Sequence, residues 1–251
     1  MKTKITEKPE NRITINKPRL NIATFLIEGT APYVQHKFSK KTRTEMLQKH
    51  LEGTKSKNKT KREPRDIEAD YREAMHLTID DKHGIPAPAF RAAMISACRV
   101  AGFQMTKAKL SCFIEPDDFD VDDGTPLVYI EGEPEMHQAM ARVSNGEPTI
   151  AIRPMWRTWS ARLRVRFDYD QFGYDDVSNL VLRAGIQVGV GEGRPDSKKS
   201  TGMGWGTFTI KDISGESTTK KDEKTIAMLN QAIGSTTIKE AITMSLREEI
   251  Q

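Results

Sequence analysis

Three groups of residues have types and spacing that suit binding chemistry. Residues 185–210, GIQVGVGEGRPDSKKSTGMGWGTFTI, hold seven of the chain's seventeen glycines (185, 189, 191, 193, 202, 204 and 206). Between two glycine clusters lie Arg194, Lys198 and Lys199, and Trp205 sits in the second cluster. Glycine admits positive φ and close backbone approach, and exposed backbone N–H groups suit phosphate. In the second group, Arg162, Arg164 and Arg166 alternate with Leu163, Val165 and Phe167, so on a strand the guanidinium groups share one face. Arg153 and Arg157 lie just upstream with Trp156 and Trp159, and basic residues mixed with aromatics fit phosphate contact plus base stacking. The third group is residues 40–62, where nine Lys/Arg, including Lys40, Lys41 and Arg43, stand against two Glu.

Better-known site types fail on their spacing. A P-loop requires Gly-Lys-Ser/Thr, and no glycine precedes Lys198 or Lys199. A dinucleotide fingerprint starting at Gly189 or Gly191 requires a third glycine where Arg194 and Asp196 stand. The acidic stretch EPDDFDVDDG lacks the alternate-position register of a calcium loop and reads as an exposed turn. No cofactor motif is present, and the reading contains no cofactor and no metal. His36 is the one histidine placed near the first strand where a general base would act, without an identifiable acid or nucleophile beside it.

The net charge of +4 conceals an uneven distribution, because residues 40–62 alone carry +7 and the remainder sums to −3. A concentrated positive segment attracts polyanions in a salt-sensitive way. Cys98 and Cys112 sit in apolar runs without metal spacing, which predicts reduced, buried thiols in a cytoplasmic protein. There is no signal-peptide pattern and no apolar run of about eighteen residues, so the sequence gives no ground for secretion or membrane spanning.

The elements that must position these groups can be read in order. Residues 1–18 form a polar arm ending at Pro18. Residues 20–28, apolar on both faces, read as a buried central strand. Residues 33–64 form a basic finger inserted after it, and KSKNKTKR within it has too little apolar surface to order alone. A short helix fits residues 66–75. Pro86 and Pro88 lead into an amphipathic helix over 88–101, with Phe90, Ala93, Met94, Ala97 and Cys98 at helical spacing and Gly102 as its stop. Strands are predicted over 109–115 and 127–131, separated by the acidic loop 115–126. A strand over 160–169 and a helix over 175–185, capped at Gly185, precede the glycine-rich stretch and a last strand over 206–211. Beyond residue 215 two short helical patterns, Ile226/Leu229/Ile233 and Ile238/Ile242/Leu246, form a C-terminal helical tail.

The principal elements run βαββαβ, the split-βαβ order of an α+β, ferredoxin-like (RRM-like) domain over residues 19–214, a topology that RNA-recognition domains share. The combination resembles the RAMP superfamily of CRISPR-associated proteins, whose members carry glycines, a basic stretch and Gly-aromatic-Gly before the last strand. Here that reads Gly189-Val190-Gly191-Glu192-Gly193-Arg194, then Lys198-Lys199, then Gly204-Trp205-Gly206. The segment Ile85-Pro86-Ala87-Pro88-Ala89-Phe90-Arg91 is similar to the family's Ile-Pro-Gly-Ser-Ser-x-(Lys/Arg) lead-in, with Ala-Pro-Ala where the family has Gly-Ser-Ser. A basic insertion after the first strand resembles the finger of the backbone subunit that coats guide RNA.

That resemblance implies a non-catalytic protein that grips single-stranded RNA, or DNA, self-associates head to tail, and joins other CRISPR effector subunits. Lys40, Lys41, Arg43, Arg153, Arg157, Arg162, Arg164, Arg166, Arg194, Lys198 and Lys199 are the expected phosphate contacts, Trp159 and Trp205 the expected stacking or bracing aromatics, and Gly191 and Gly193 the expected points of backbone approach. The slicing aspartate of some backbone subunits is not carried over, since residues 30–65 contain no aspartate. Two alternatives remain open: a metal-independent endoribonuclease using His36, and a phage-borne annealing protein or mimic of the backbone subunit.

Overall fold

In the computed structural model, which describes residues 17–52, 66–142, 148–197 and 202–211, two alternating strands set the frame. In β1 (Leu20–Gly29), Ala23, Phe25 and Ile27 are buried, while Leu20, Ile22 and Leu26 are exposed. In β9 (Ser160–Asp168), Ala161, Leu163, Val165 and Phe167 are buried and the three arginines alternate with them. The strands pair antiparallel, with Ile22 opposite Arg166, Thr24 opposite Arg164 and Leu26 opposite Arg162, so all six share one open face. The central strand is therefore buried on one face only, with Leu20, Ile22 and Leu26 exposed on the other.

Three further strands complete an antiparallel sheet: β10 (Phe208–Ile210) beside β1, β6 (Pro126–Glu131) beside β9, and β3 (Gly84–Pro86) beside β6, in the order β10-β1-β9-β6-β3. Two short strands, β4 (Cys112–Glu115) and β5 (Asp118–Phe119), pair with β9 and β6. Two helices cover the apolar face. α3 (Ala87–Ala101) buries Phe90, Ala93, Met94, Ala97 and Cys98 and ends at Gly102 in the left-handed region. α5 (Tyr174–Arg183) buries Val177, Leu180 and Val181, and the Asp176 carboxylate accepts from the Gly173 N–H at its start. The molecule is thus α+β with antiparallel sheets. Among the described residues no helix is long and apolar enough to cross a membrane.

Several expectations change. α5 does not stop at Gly185; it continues as a π-turn over Ala184–Val188 and ends at Gly189, with φ 72°. At Gly185 the reason for glycine is packing, since a Cβ would fall 2.1 Å from the Phe208 carbonyl oxygen. The strand over 109–115 begins only at Cys112, because α4 (Met105–Ser111) occupies the first half. Arg91 stabilises that helix end, donating from Nε to the Cys112 carbonyl at 3.0 Å and from Nη2 to the Lys109 carbonyl. Of the basic excursion, β2 (Tyr33–Val34) is buried core, and α1 (Lys40–Glu52) is a helix whose Thr42 N–H donates to Ser39. α2 (Ile67–Glu73) follows, capped by Asp66. A hairpin of β7 (Pro134–Arg142) and β8 (Pro148–Trp156) joins β2 in a second sheet, order β2-β8-β7. Pro134, Pro148 and Pro154 interrupt its alternation, which hides it in the sequence. The arm to residue 16, KSKNKTKR and the tail lie outside the described residues.

A buried charge cluster fastens the finger's base to the acidic loop. The Lys37 ammonium lies 2.9 Å from Asp120 and 2.7 Å from Asp122, with the Lys37 and Asp120 side chains almost wholly buried. His76 Nδ1 is 2.7 Å from Asp120 Oδ2, so it carries the proton and donates, since a carboxylate only accepts. The Asp122 N–H donates to Asp120 Oδ1 at 2.8 Å. Arg43 of α1 adds an ion pair to Asp123 at 3.2 Å. The acidic stretch is therefore a clamp in which Asp120 is buried, not an exposed turn. Burial pushes the Asp120 carboxyl up, but Lys37, the Asp122 N–H and His76 outweigh it and the net shift is downward. Burial holds the His76 imidazole below its ordinary value against the pull of Asp120.

Both shifts carry the same sign for stability. As pH falls, the unfolded chain takes up protons at His76 near its ordinary pKa of about 6.5 before the fold does, and Asp120 follows in the carboxylate range. Stability is expected to be full above about pH 7 and to fall steadily on acidification toward pH 4, measured by urea unfolding across that range. Lys37→Ala strands a buried carboxylate and is expected to cost about 3–5 kcal/mol in the same assay at pH 7.5.

Candidate nucleic-acid interface

The glycine-rich stretch runs from the π-turn at the end of α5 to β10, and most of its backbone is committed to the fold. The N–H of Val190 donates to Gly206 O at 2.9 Å, that of Gly206 to Pro32 O at 2.7 Å, and that of Glu192 to Val34 O at 2.9 Å. The N–H groups of Met203 and Trp205 both reach Gly193 O, at 2.7 and 3.2 Å. The loop is thus pinned to β2 and to itself. Among the described residues, the N–H groups of Gly191, Gly193 and Arg194 have no backbone acceptor. Gly191 must be glycine because a Cβ there would fall 2.5 Å from Val34 O.

Between this loop and α3 opens a cleft of about 850 Å³, with walls from Ala92, Ile95, Met105 and Val190 and charged groups from Arg99, Lys109 and Arg194. His36 and Tyr33 line its β2 end. Two loop carboxylates hold the neighbouring cations. Glu192 accepts from Arg153 Nε at 2.7 Å and lies 3.7 Å from His36 Nδ1. Asp196 pairs with Arg99 Nη2 at 2.6 Å and accepts from the Ser96 hydroxyl. The Ser96 bond, opposed by burial and aided by Arg99, holds the Asp196 carboxyl below the usual range. Arg194 donates to Gly191 O at 3.0 Å. Lys109 is exposed, with no ion pair among the described residues.

The expected contacts divide between faces. His36, Gly191 and Arg194 line the cleft, on the helix side of the sheet, while Arg153 reaches it only through Glu192 and Gly193 lies against Trp205. Arg162, Arg164 and Arg166 lie on the open side and are largely neutralised: Arg164 pairs with Asp117 at 3.0 Å and donates to Pro116 O, and Arg166 pairs with Glu115 at 2.7 Å over the Phe113 ring. Arg162 is exposed without an ion-pair partner among the described residues. Arg157 pairs with Glu135 at 2.6 Å. Lys40 and Lys41 begin α1, next to Arg43 on the Asp123 clamp. Lys198 and Lys199 lie outside the described residues.

The tryptophans are structural. Trp159 is buried, donates from Nε1 to Ala31 O at 2.9 Å and packs on Tyr33 and Phe208, so stacking by Trp159 on a base is corrected to a core role. Trp205 is half-buried, lies against Gly193 and meets His137 edge-on at 5.5 Å, bracing the loop. Burial pushes the His36 imidazole down, helped by Arg153 and opposed by Glu192. Sequence reasoning missed Arg99, Lys109 and Ser96, since only folding brings α3 and α4 against the loop. His76, Asp120 and Asp123 offer metal-ligating atoms within 4.8 Å of one another, but the Lys37 ammonium already provides the cation there.

A scan against protein-family models finds no match to the chain, and a search of curated proteins finds none either.

Gly204 and Gly206 separate backbone strain from packing. Both have positive φ, 75° and 66°, but a Cβ at Gly204 meets open space and one at Gly206 falls 1.7 Å from Val190 O. Gly204→Ala is expected to cost about 1–2 kcal/mol, the left-handed backbone term alone. Gly206→Ala should cost about 1–3 kcal/mol more, because the loop must give way; thermal or urea unfolding of both variants measures the difference.

Proposed function

We propose that the chain is a non-catalytic single-strand-binding protein of ferredoxin-like, RAMP-like architecture, which holds RNA in the cleft between α3 and the glycine-rich loop. The order β10-β1-β9-β6 with α3 and α5 on one face supports the ferredoxin-like part, since it matches the split-βαβ arrangement. The observation that carries the binding role is the cleft itself, about 850 Å³ in volume, where Arg99, Lys109 and Arg194 stand beside apolar walls from Ala92, Ile95, Met105 and Val190. That mixture suits a strand whose phosphates meet cations and whose sugars and bases meet apolar walls. The Gly191 and Arg194 amides, which have no backbone acceptor among the described residues, add donors for a phosphate oxygen at the cleft.

Glu192 and Asp196 have a definite part in this reading. They hold Arg153 and Arg99 in place before a strand arrives. Head-to-tail assembly along the strand, with α1 and the basic run beyond it reaching a neighbour, rests on the resemblance to the backbone subunit. Beside His36 stand Arg153, Glu192 and Phe38, and Glu192 is already engaged by Arg153, which favours binding over cleavage.

Fluorescence anisotropy with a labelled 20-nucleotide RNA tests the reading. Wild-type binding should weaken with salt, and Arg99→Ala/Lys109→Ala/Arg194→Ala should lose at least about tenfold in affinity. It should also lower the log–log salt slope by about 2, at about 0.7 per phosphate contact for single strands. The RNA should stay intact in chelator, with His36→Ala indistinguishable from wild type. Unchanged affinity and slope in the triple variant would remove the cleft from the account.

A further inference from the structure

The open face of the sheet carries an apolar row that the described residues leave to solvent. Leu20, Ile22 and Leu26 are 48%, 59% and 39% exposed on one face of β1, with Thr24 between the last two. The route of the chain past this row indicates what covers it. β10 runs antiparallel to β1 with Ile210 opposite Ile27, and the Lys211 N–H donates to Leu26 O at 2.8 Å. The Lys211 ammonium reaches Glu28 on the same open face, at 3.2 Å. The chain therefore leaves the sheet beside Leu26, heading toward Ile22 and Leu20, with forty residues still to come.

We propose that the open face is the docking surface for this chain's own C-terminal segment, with the Ile238/Ile242/Leu246 stripe laid on Leu20, Ile22 and Leu26. Reach is ample: residues 212–237 extend to roughly 80 Å at full stretch, against about 5 Å per strand to be crossed. The stripe fits within the length of the row. Ile238, Ile242 and Leu246 are four residues apart, a spacing that on a helix would make one stripe about 12 Å long. The row from Leu20 to Leu26 is about 20 Å long, at about 3.3 Å per residue. Charge also favours the pairing, because Glu240, Glu248 and Glu249 outnumber Lys239 and Arg247 around the stripe, and Arg162, next to Leu26 on the face, has no ion-pair partner among the described residues. Docking there leaves the α3 cleft, on the other side of the sheet, open.

The test is limited trypsin digestion of the full chain, with cleavage after Lys239 and Arg247 followed by mass spectrometry. Wild type is compared with Ile22→Glu on the face and Ile242→Glu on the tail. Each variant is expected to speed cleavage at both sites at least tenfold, with digestion of the rest of the domain unchanged and with rates independent of protein concentration. Ile22 is exposed, and Ile242→Glu alters the other partner, so agreement between the two cannot come from a damaged core. Cleavage in Ile22→Glu at the wild-type rate overturns the proposal. Protection that rises with concentration overturns it in favour of a second copy as occupant, and protection that appears only with added RNA overturns it in favour of nucleic acid on this face.

Discussion

The antiparallel pairing of β1 with β9 is the constraint from which the rest of the molecule follows. Its nine-residue register, from Leu20 opposite Asp168 to Glu28 opposite Ser160, divides the side chains of both strands between two faces. One set, including Phe25, Ile27, Leu163 and Val165, builds the core under α3 and α5. The other set puts arginines beside aliphatic side chains on an open face. A slip of one residue would exchange the two sets and expose the core, so the register is strongly specified. It also separates the arginine row from the glycine-rich loop, two features that adjoin the same strand and helix in sequence but lie on opposite sides of the sheet.

That separation changes the weight of the individual residues. Arg164 and Arg166 are tied to Asp117 and Glu115 of the neighbouring segment, and their row is mainly a cross-strand ion-pair ladder. The glycine-rich loop proves more rigid than its composition implies. Its glycines permit positive φ and close approach to β2, to the Val190 carbonyl and to the Trp205 ring, and most of its amides bond within the fold. What the loop leaves for the cleft is the Gly191 and Arg194 amides and cations beside carboxylates that already orient two arginines.

Much of this was legible in the sequence where periodicity is strong. β9 and α3 fall within a residue or two of their predicted spans, because alternation in one and i, i+3, i+4 spacing in the other leave few choices. The α4 helix was not legible, since TKAKL has little pattern and its end is stabilised by Arg91, far away in sequence. The β7–β8 hairpin was hidden by three prolines, and the Asp120 clamp looked like a solvated turn because Lys37 and His76 approach it from distant segments. The cleft was half legible: glycines and Arg194 announced one wall, but nothing local marks Arg99 or Lys109 as belonging to the other.

The central claim is that a single strand lies in the cleft between α3 and the glycine-rich loop. Its most direct measurement is ultraviolet crosslinking of RNA to the full chain, with adducts located by mass spectrometry. The account predicts adducts within residues 33–36, 92–109 and 189–196. Adducts confined to the open face of β1 and β9, or no specific adducts at low salt, would contradict it.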